Sequence, residues 1–103
     1  MNEAQYRGIL IRKINALLPG CIILKNDPDW IQGIPDLLIL YNMRWAALEV
    51  KVNGKANLRP NQVHFVELLD EMSFAAFIYP ENEDRVLDDL QFAFGVTRAT
   101  RIS

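Results

Sequence analysis

The chain has 103 residues, of which 50% are hydrophobic, 23% charged and 10% aromatic. This composition is typical of one soluble globular domain that folds without disulfides or a structural metal. The single cysteine, Cys21, excludes an internal disulfide, and the longest uncharged stretch, residues 14–24, is too short to cross a bilayer. Glu3 and Arg7 precede any apolar run, unlike a secretory signal, so we expect a cytoplasmic protein without a membrane partner.

The formal net charge of −2 hides an uneven distribution along the chain. Residues 1–25 and 44–59 each carry a net charge of +3, whereas residues 26–43 carry −3 and residues 60–89 carry −7. The overall charge argues against a nucleic-acid-binding domain, because such domains are usually basic. The two basic segments nevertheless leave open a surface with one positive face, and scattered solvated charge is the alternative.

The first half of the chain predicts a helix followed by strands. Apolar residues recur at helical spacing over residues 3–18, and Pro19-Gly20 ends this helix. Cys21 to Lys25 form a short apolar strand, and Leu37 to Tyr41 form a second one after a polar loop. Asn42-Met43-Arg44 is a plausible hairpin turn.

The second half continues with one more strand of this hairpin and then alternates helices with a strand. Trp45 to Val52 is nearly all apolar, and Pro60 suits the first turn of a helix that extends to Met72. Phe74 to Tyr79 is a buried strand, and Asp84 to Phe92 form the last helix. The order α-β-β-β-α-β-α predicts one α/β (α+β) domain over residues 1–103, with a mixed sheet flanked by helices.

Two carboxylates occupy apolar strands, where an unpaired charge costs several kcal/mol. Asp36 begins the Leu37–Tyr41 strand, and strand alternation places Glu49 and Lys51 on one face of the next strand. Pairing the two strands symmetrically about Met43 would place Asp36 near residue 50, beside Glu49. The sequence therefore predicts two carboxylates and a lysine at one edge of the sheet.

Such a patch has the groups that metal-assisted phosphodiester hydrolysis requires. Mg²⁺ is commonly held by one or two carboxylates, and it activates water and neutralises phosphate charge. Asp36 and Glu49 are the candidate ligands, and the backbone carbonyl of Val50 could supply a further oxygen. Lys51 could orient the attacking water or stabilise the charge that develops on the phosphate.

Two polar residues on helices are predicted to point toward the same patch. Glu3 extends the apolar stripe of the first helix at its open end, where a carboxylate suits a metal site or a contact with Lys51. Gln62 lies in the first turn of the second helix, at the start of its apolar stripe. Its amide could hold a phosphate or the attacking water.

Three segments in this order resemble the PD-(D/E)XK nuclease superfamily. They are Gly33-Ile34-Pro35-Asp36, Leu48-Glu49-Val50-Lys51 and Arg59-Pro60-Asn61-Gln62. Within the superfamily, the chain is similar to the virus-type replication-repair nuclease (VRR-NUC) module over about residues 3–80. The resemblance implies a restriction-endonuclease-like core and a metal-dependent DNA endonuclease of phage or DNA-repair type, in a bacterial or phage-infected cell.

The resemblance also assigns roles to individual residues. It implies that Asp36 and Glu49 bind Mg²⁺ or Mn²⁺ and that Lys51 assists catalysis, with Glu3 and Gln62 as a supporting pair. Small stand-alone members tend to be homodimers that act on branched DNA, so branched, flap or four-way-junction substrates and a homodimer are implied here.

Four basic residues are candidates for contacts to the DNA backbone: Lys25, Arg44, Lys55 and Arg59. Lys55 and Arg59 follow the strand of Glu49 directly, so they would stand near the cleaved phosphate. Phosphate contacts position a substrate without reading its sequence. We therefore expect a structure-selective enzyme whose DNA binding is sensitive to salt.

Each of these residues also has a purely structural interpretation. Asp36 after a proline could be a turn residue, and Glu49 with Lys51 could be a same-face pair on a solvated strand. Glu3 could be a first-turn acid favoured by the helix dipole, and Gln62 a surface residue. Trp30 could stack on a base or be buried at a dimer contact.

Two other functions are compatible with the sequence. One is a catalytically silent nucleic-acid-binding subunit of a replication or packaging assembly, which intact Asp36, Glu49 and Lys51 argue against. The other is an interaction protein whose acidic segment 60–89 docks a basic partner. Separately, the apolar segment 92–96 is a candidate surface for pairing two copies across a two-fold axis.

Overall fold

Three helices and four strands follow one another in the order α-β-β-β-α-β-α within residues 1–96, the part of the chain that the computed structural model describes. The mixed α+β class and the order predicted from the sequence are therefore confirmed. The elements are α1 (Glu3–Leu17), β1 (Ile22–Lys25), β2 (Leu37–Tyr41), β3 (Arg44–Val50), α2 (Pro60–Met72), β4 (Phe74–Ile78) and α3 (Glu83–Ala93).

The four strands form one mixed sheet in the order β1-β2-β3-β4. β1, β2 and β3 are antiparallel neighbours, whereas β3 and β4 are parallel and are connected through α2. A parallel pair needs such a crossover because the end of the first strand and the start of the second lie at opposite ends of the sheet. The central position of β3 explains why nearly every residue of this strand is buried.

Helices cover both faces of the sheet, as strands that are apolar on both faces require. On one face, α1 and α3 contribute Leu10, Ile14 and Leu90 to the main core, together with Leu48 of β3. On the other face, α2 packs Val66 and its neighbours against β3 and β4. Within the described residues, no helix combines the length and the apolar character that a membrane crossing requires.

The β2–β3 hairpin differs from the prediction by one residue. The turn has two residues, Asn42 and Met43, whose φ angles of 51° and 62° match the type I′ turn of tight hairpins, and Arg44 already pairs with Tyr41. The register therefore pairs Leu37 with Leu48, so that the backbone of Asp36 extends the strand opposite Glu49, one residue from the predicted partner at position 50. The predicted centre at Met43 was wrong because a three-residue turn was assumed.

Several element ends also shift by one or two residues. β3 ends at Val50 instead of Val52, and α3 begins at Glu83 instead of Asp84. Glu83 is buried, and its carboxylate accepts hydrogen bonds from the Tyr6 hydroxyl at 2.8 Å and from the Lys13 ammonium. This network joins α1 to α3, so part of the predicted basic face of α1 is neutralised internally.

The apolar segment 92–96 packs mostly against its own domain. Phe94 is 2% exposed and contacts the ring of Tyr41 edge-on, with 5.8 Å between ring centroids, and Val96 packs against the main core. Phe92 is exposed. The segment therefore offers one large apolar side chain for an intermolecular contact.

The two edges of the sheet differ in whether side chains bond the outward-pointing backbone groups. At β4, Asp70 accepts from the Ala75 N–H at 3.0 Å, and the Asn82 amide bonds both the Phe77 carbonyl and the Tyr79 N–H. These side chains cap backbone groups that point away from β3. At β1, the backbone of Ile23 points away from β2, and no side chain among the described residues caps it.

Candidate metal centre and cleft

The β2–β3 hairpin brings Asp36 and Glu49 together at one end of the sheet. The carboxylate of Asp36 accepts a hydrogen bond from the Val50 N–H at 3.0 Å, which replaces the ladder bond that β2 would otherwise provide there. This bond fixes the Asp36 side chain beside the strand that carries Glu49. The predicted meeting of the two carboxylates is present in the structure.

Glu3 joins them from the first turn of α1. The packing of Tyr6 and Leu10 in the core holds this helix against the sheet, and the Asn2–Gln5 capping box fixes its first turn. One carboxylate oxygen each from Glu3, Asp36 and Glu49 lies within 4.8 Å of the other two. Three hard oxygen donors therefore converge on one point, which is the donor set that Mg²⁺ and Mn²⁺ prefer.

Glu49 is the most buried member of this trio, with 3% of its surface exposed. Burial raises the pKa of Glu49 to about 8, and the negative charges of Asp36 and Glu3 add to the shift, while Lys51 opposes it. The trio is thus short of positive charge. A divalent cation would supply that charge and would favour the ionised form of Glu49.

Lys51 and Gln62 form a connected pair above Glu49. The Lys51 ammonium donates to the Gln62 side-chain oxygen at 2.9 Å and lies 3.9 Å from a Glu49 oxygen. The Gln62 amide donates to Glu49 at 3.3 Å, and the same Gln62 oxygen accepts from the Arg59 N–H at 3.1 Å at the start of α2. The ammonium group is therefore held between Gln62 of α2 and Glu49 of β3, the buried member of the carboxylate trio.

The backbone geometry also supports the predicted ligand at Val50. The Lys51 N–H donates to Ile78 of β4 at 2.9 Å, so the backbone groups of Val50 point the other way, toward β2. Extending the register would pair Val50 with Pro35, which has no N–H to donate. The Val50 carbonyl therefore points toward β2 on the side of Asp36. Its partner in the extended register, Pro35, cannot donate a hydrogen bond to it.

These groups line a cleft of about 630 Å³. Its walls are the loop before β2 and the start of α2. These two segments approach so closely that a Cβ on Gly33 would lie 2.8 Å from atoms of Asn61. Gly33 also has a φ of +88°, a conformation that favours glycine. The lining residues are Glu3, Pro28, Asp29, Gln32, Gly33, Ile34, Asp36, Glu49, Lys51, Asn57, Arg59, Asn61 and Gln62.

The four predicted DNA-contacting residues are distributed unequally around this cleft. Arg59 lines it. Lys25 is exposed at the end of β1 that lies nearest Asp36, and Lys55 is exposed in the loop after β3, but neither lines the cleft. Arg44 lies at the opposite end of the sheet, where it donates to the Ala93 carbonyl at 3.0 Å.

Other reactive side chains lie outside the site. His64 is exposed on α2 with its ring against Phe65, as expected for a surface residue. Cys21 is half-buried against the main core, where burial raises the pKa of its thiol. No sequence pattern indicates the cleft wall formed by Pro28, Asp29 and Gln32, because loop residues carry no periodicity.

Comparison with known proteins finds no family model, no curated protein and no solved structure that matches this chain.

Proposed function

We propose that this protein is a nuclease that uses Mg²⁺ or Mn²⁺ to hydrolyse phosphodiester bonds in DNA. The observation that carries this proposal is the convergence of Glu3, Asp36 and Glu49 within 4.8 Å, with the Lys51 ammonium 3.9 Å from Glu49, in one open cleft. The resemblance of the Gly33–Asp36 and Leu48–Lys51 segments to the PD-(D/E)XK and VRR-NUC nucleases supports the same conclusion.

The residues divide into metal-holding and substrate-facing groups. Asp36, Glu49, Glu3 and the Val50 carbonyl would hold the cation, which when bound supplies an activated water and neutralises phosphate charge. Lys51 presents a fixed ammonium group where negative charge grows on the phosphate. Gln62 fixes that ammonium group and shields Glu49 from one side.

The start of α2 is the part of the cleft wall that suits a DNA phosphate. Arg59 provides a cationic side chain at the start of this 13-residue helix, and a helix start favours phosphate groups. Contacts of this kind do not read bases, which supports structure-selective cleavage of branched, flap or junction DNA. A homodimer and a place in the cytoplasm are further parts of this proposal, and light scattering tests the first.

The decisive experiment is cleavage of labelled linear duplex, single strand, flap and four-way junction with Mg²⁺ or Mn²⁺, beside an EDTA control. Lys51→Ala should lower the rate about 100- to 1,000-fold, as expected for removal of one preorganised charge-stabilising group. Arg12→Ala is the matched control, because this basic residue is exposed on α1 and does not line the cleft. Asp36→Asn provides a second active-site variant.

Circular dichroism of each variant verifies that the fold is intact. Cleavage that persists in EDTA, or that is equal in wild type and Lys51→Ala, would contradict the proposal. Cleavage lost in both active-site variants but retained in Arg12→Ala would establish it, and the preferred DNA would define the substrate class.

A further inference from the structure

The loop between β1 and β2 carries two exposed apolar side chains beside the cleft. Trp30 is 84% exposed and Ile31 is 41% exposed. Together with Asn26, Asp27 and Ile34, they line a depression of about 350 Å³. A large aromatic surface next to a hollow can accept a flat apolar ligand.

The loop is fastened directly to the strand that carries Asp36. The Asn26 N–H donates to the Asp36 carbonyl at 2.8 Å, and the Asn26 side-chain amide donates to the Pro35 carbonyl at 2.8 Å. The Asp27 side chain accepts from the Asp29 N–H at 2.8 Å, and its carbonyl accepts from the Trp30 N–H at 3.2 Å. The backbone at Trp30 is therefore tied to the segment that carries Asp36, which limits the ordering needed to bind a ligand there.

The depression and the cleft are adjacent. Ile34 lines both of them, and Asp29 and Gln32 of the same loop line the cleft. A nucleic acid whose phosphate lies over Asp36 therefore has this loop beside it.

Charge decides which part of a nucleic acid the loop can contact. Residues 26–43 contain Asp27, Asp29 and Asp36 but neither lysine nor arginine, so the loop does not attract phosphate. Stacking on an aromatic ring needs no positive charge and tolerates any base. In a paired duplex the faces of internal bases are covered by their neighbours, so a ring that approaches from outside requires an unpaired base.

We propose that Trp30 stacks on an unpaired base next to the phosphate held in the cleft. The substrate class is accordingly DNA with a single-stranded segment at the cleavage site, such as a flap or a branch with unpaired bases. This inference rests on the proposed nuclease function and assigns its structure selectivity to one side chain.

The test measures binding in EDTA, by fluorescence anisotropy of a labelled flap and of a fully paired duplex of equal length. Trp30→Ala should weaken flap binding roughly 5- to 100-fold, the range expected for the loss of one stacked base. Duplex binding should stay unchanged, and Trp30→Phe should restore most of the flap affinity. Met43→Ala is the matched control, since this fully exposed side chain lies at the hairpin turn at the other end of the sheet.

A second arm replaces single bases of the flap by abasic sites. An abasic site at the stacked position should weaken flap binding to wild type as much as Trp30→Ala weakens binding of the intact flap. The abasic flap and Trp30→Ala combined should lose no more affinity than either change alone. Equal losses on flap and duplex, or no loss on the flap, would overturn the proposal. A Trp30→Ala effect on mass in light scattering without an effect on flap binding would do the same, and would make the loop a contact between copies.

The two proposals fail in different ways. Absence of metal-dependent cleavage on every DNA contradicts the nuclease, whereas the anisotropy assay contains no metal and reports on Trp30 alone. Metal-dependent cleavage with equal flap affinity in wild type and Trp30→Ala refutes only the stacking role.

Discussion

Neutralising Glu49 should change how the stability of the fold depends on pH. The pKa of this buried carboxyl is raised to about 8, first by burial and then by Asp36. Folding therefore favours the protonated form of Glu49. Its contribution to the free energy of unfolding is fully present below the ordinary pKa of 4.5 and is lost as pH rises through the folded-state pKa of about 8. Glu49→Gln retains the shape and the neutral state at every pH.

The size of the effect follows from the width of this pH window. Each pH unit in which the unfolded chain is ionised and the folded chain is protonated changes the free energy of unfolding by about 1.4 kcal/mol. Between pH 6 and pH 9, wild type should lose about 2–3 kcal/mol more than Glu49→Gln, because the folded carboxyl itself ionises near the middle of this range.

Urea unfolding in EDTA, followed by far-ultraviolet circular dichroism at several pH values, measures this difference. Subtracting the two curves removes the groups that both proteins share, and Glu67→Gln, an exposed carboxyl on α2, is the control that should parallel wild type. If the Glu49→Gln and wild-type curves run parallel from pH 6 to pH 9, the reasoning from burial is wrong.

Three further predictions concern metal binding, helix docking and the cleft wall. Divalent metal at a hundredfold excess over its Kd should stabilise wild type by about 2.7 kcal/mol in thermal unfolding. Asp36→Asn should remove this stabilisation, and stabilisation that survives the substitution would place the ion elsewhere. Glu83→Gln should lower the free energy of unfolding by about 1–3 kcal/mol, because the bonds that join α1 to α3 weaken, whereas the exposed Asp84→Asn should have no such effect in urea titrations. Gly33→Ala should cost about 1–3 kcal/mol through its positive φ and its collision with Asn61, and unchanged stability in the same titrations would refute that close approach.

The fold was predictable because apolar runs here are bounded by clear turn residues. Pro19-Gly20 ends α1, and Pro60 begins α2, as expected. The hairpin was less predictable, since Asn42-Met43 lacks the glycine that usually marks a two-residue turn. Its left-handed Met43 is specified by the pairing of the flanking strands, which local sequence does not reveal.

Some features of the site follow from local sequence patterns, whereas others depend on contacts between distant residues. Strand alternation, together with the pairing of two strands in a hairpin, was enough to predict that Asp36, Glu49 and Lys51 share one patch. The bond between Tyr6 and Glu83 joins residues 77 positions apart, and no local pattern indicates it. The position of Arg44 at the far end of the sheet, by contrast, follows from the predicted hairpin, because the turn after Tyr41 lies at the opposite end of β2 from Asp36.

The unequal edges of the sheet limit how copies of this chain can assemble through their backbones. Asp70 and Asn82 occupy outward-pointing backbone groups of β4, whereas those of Ile23 in β1 remain open among the described residues. A molecule with one open edge can join a second through it, and the resulting pair then presents only β4 edges, where Asp70 and Asn82 occupy part of the backbone. Strand pairing between copies should therefore stop at two subunits and should not propagate into a fibre.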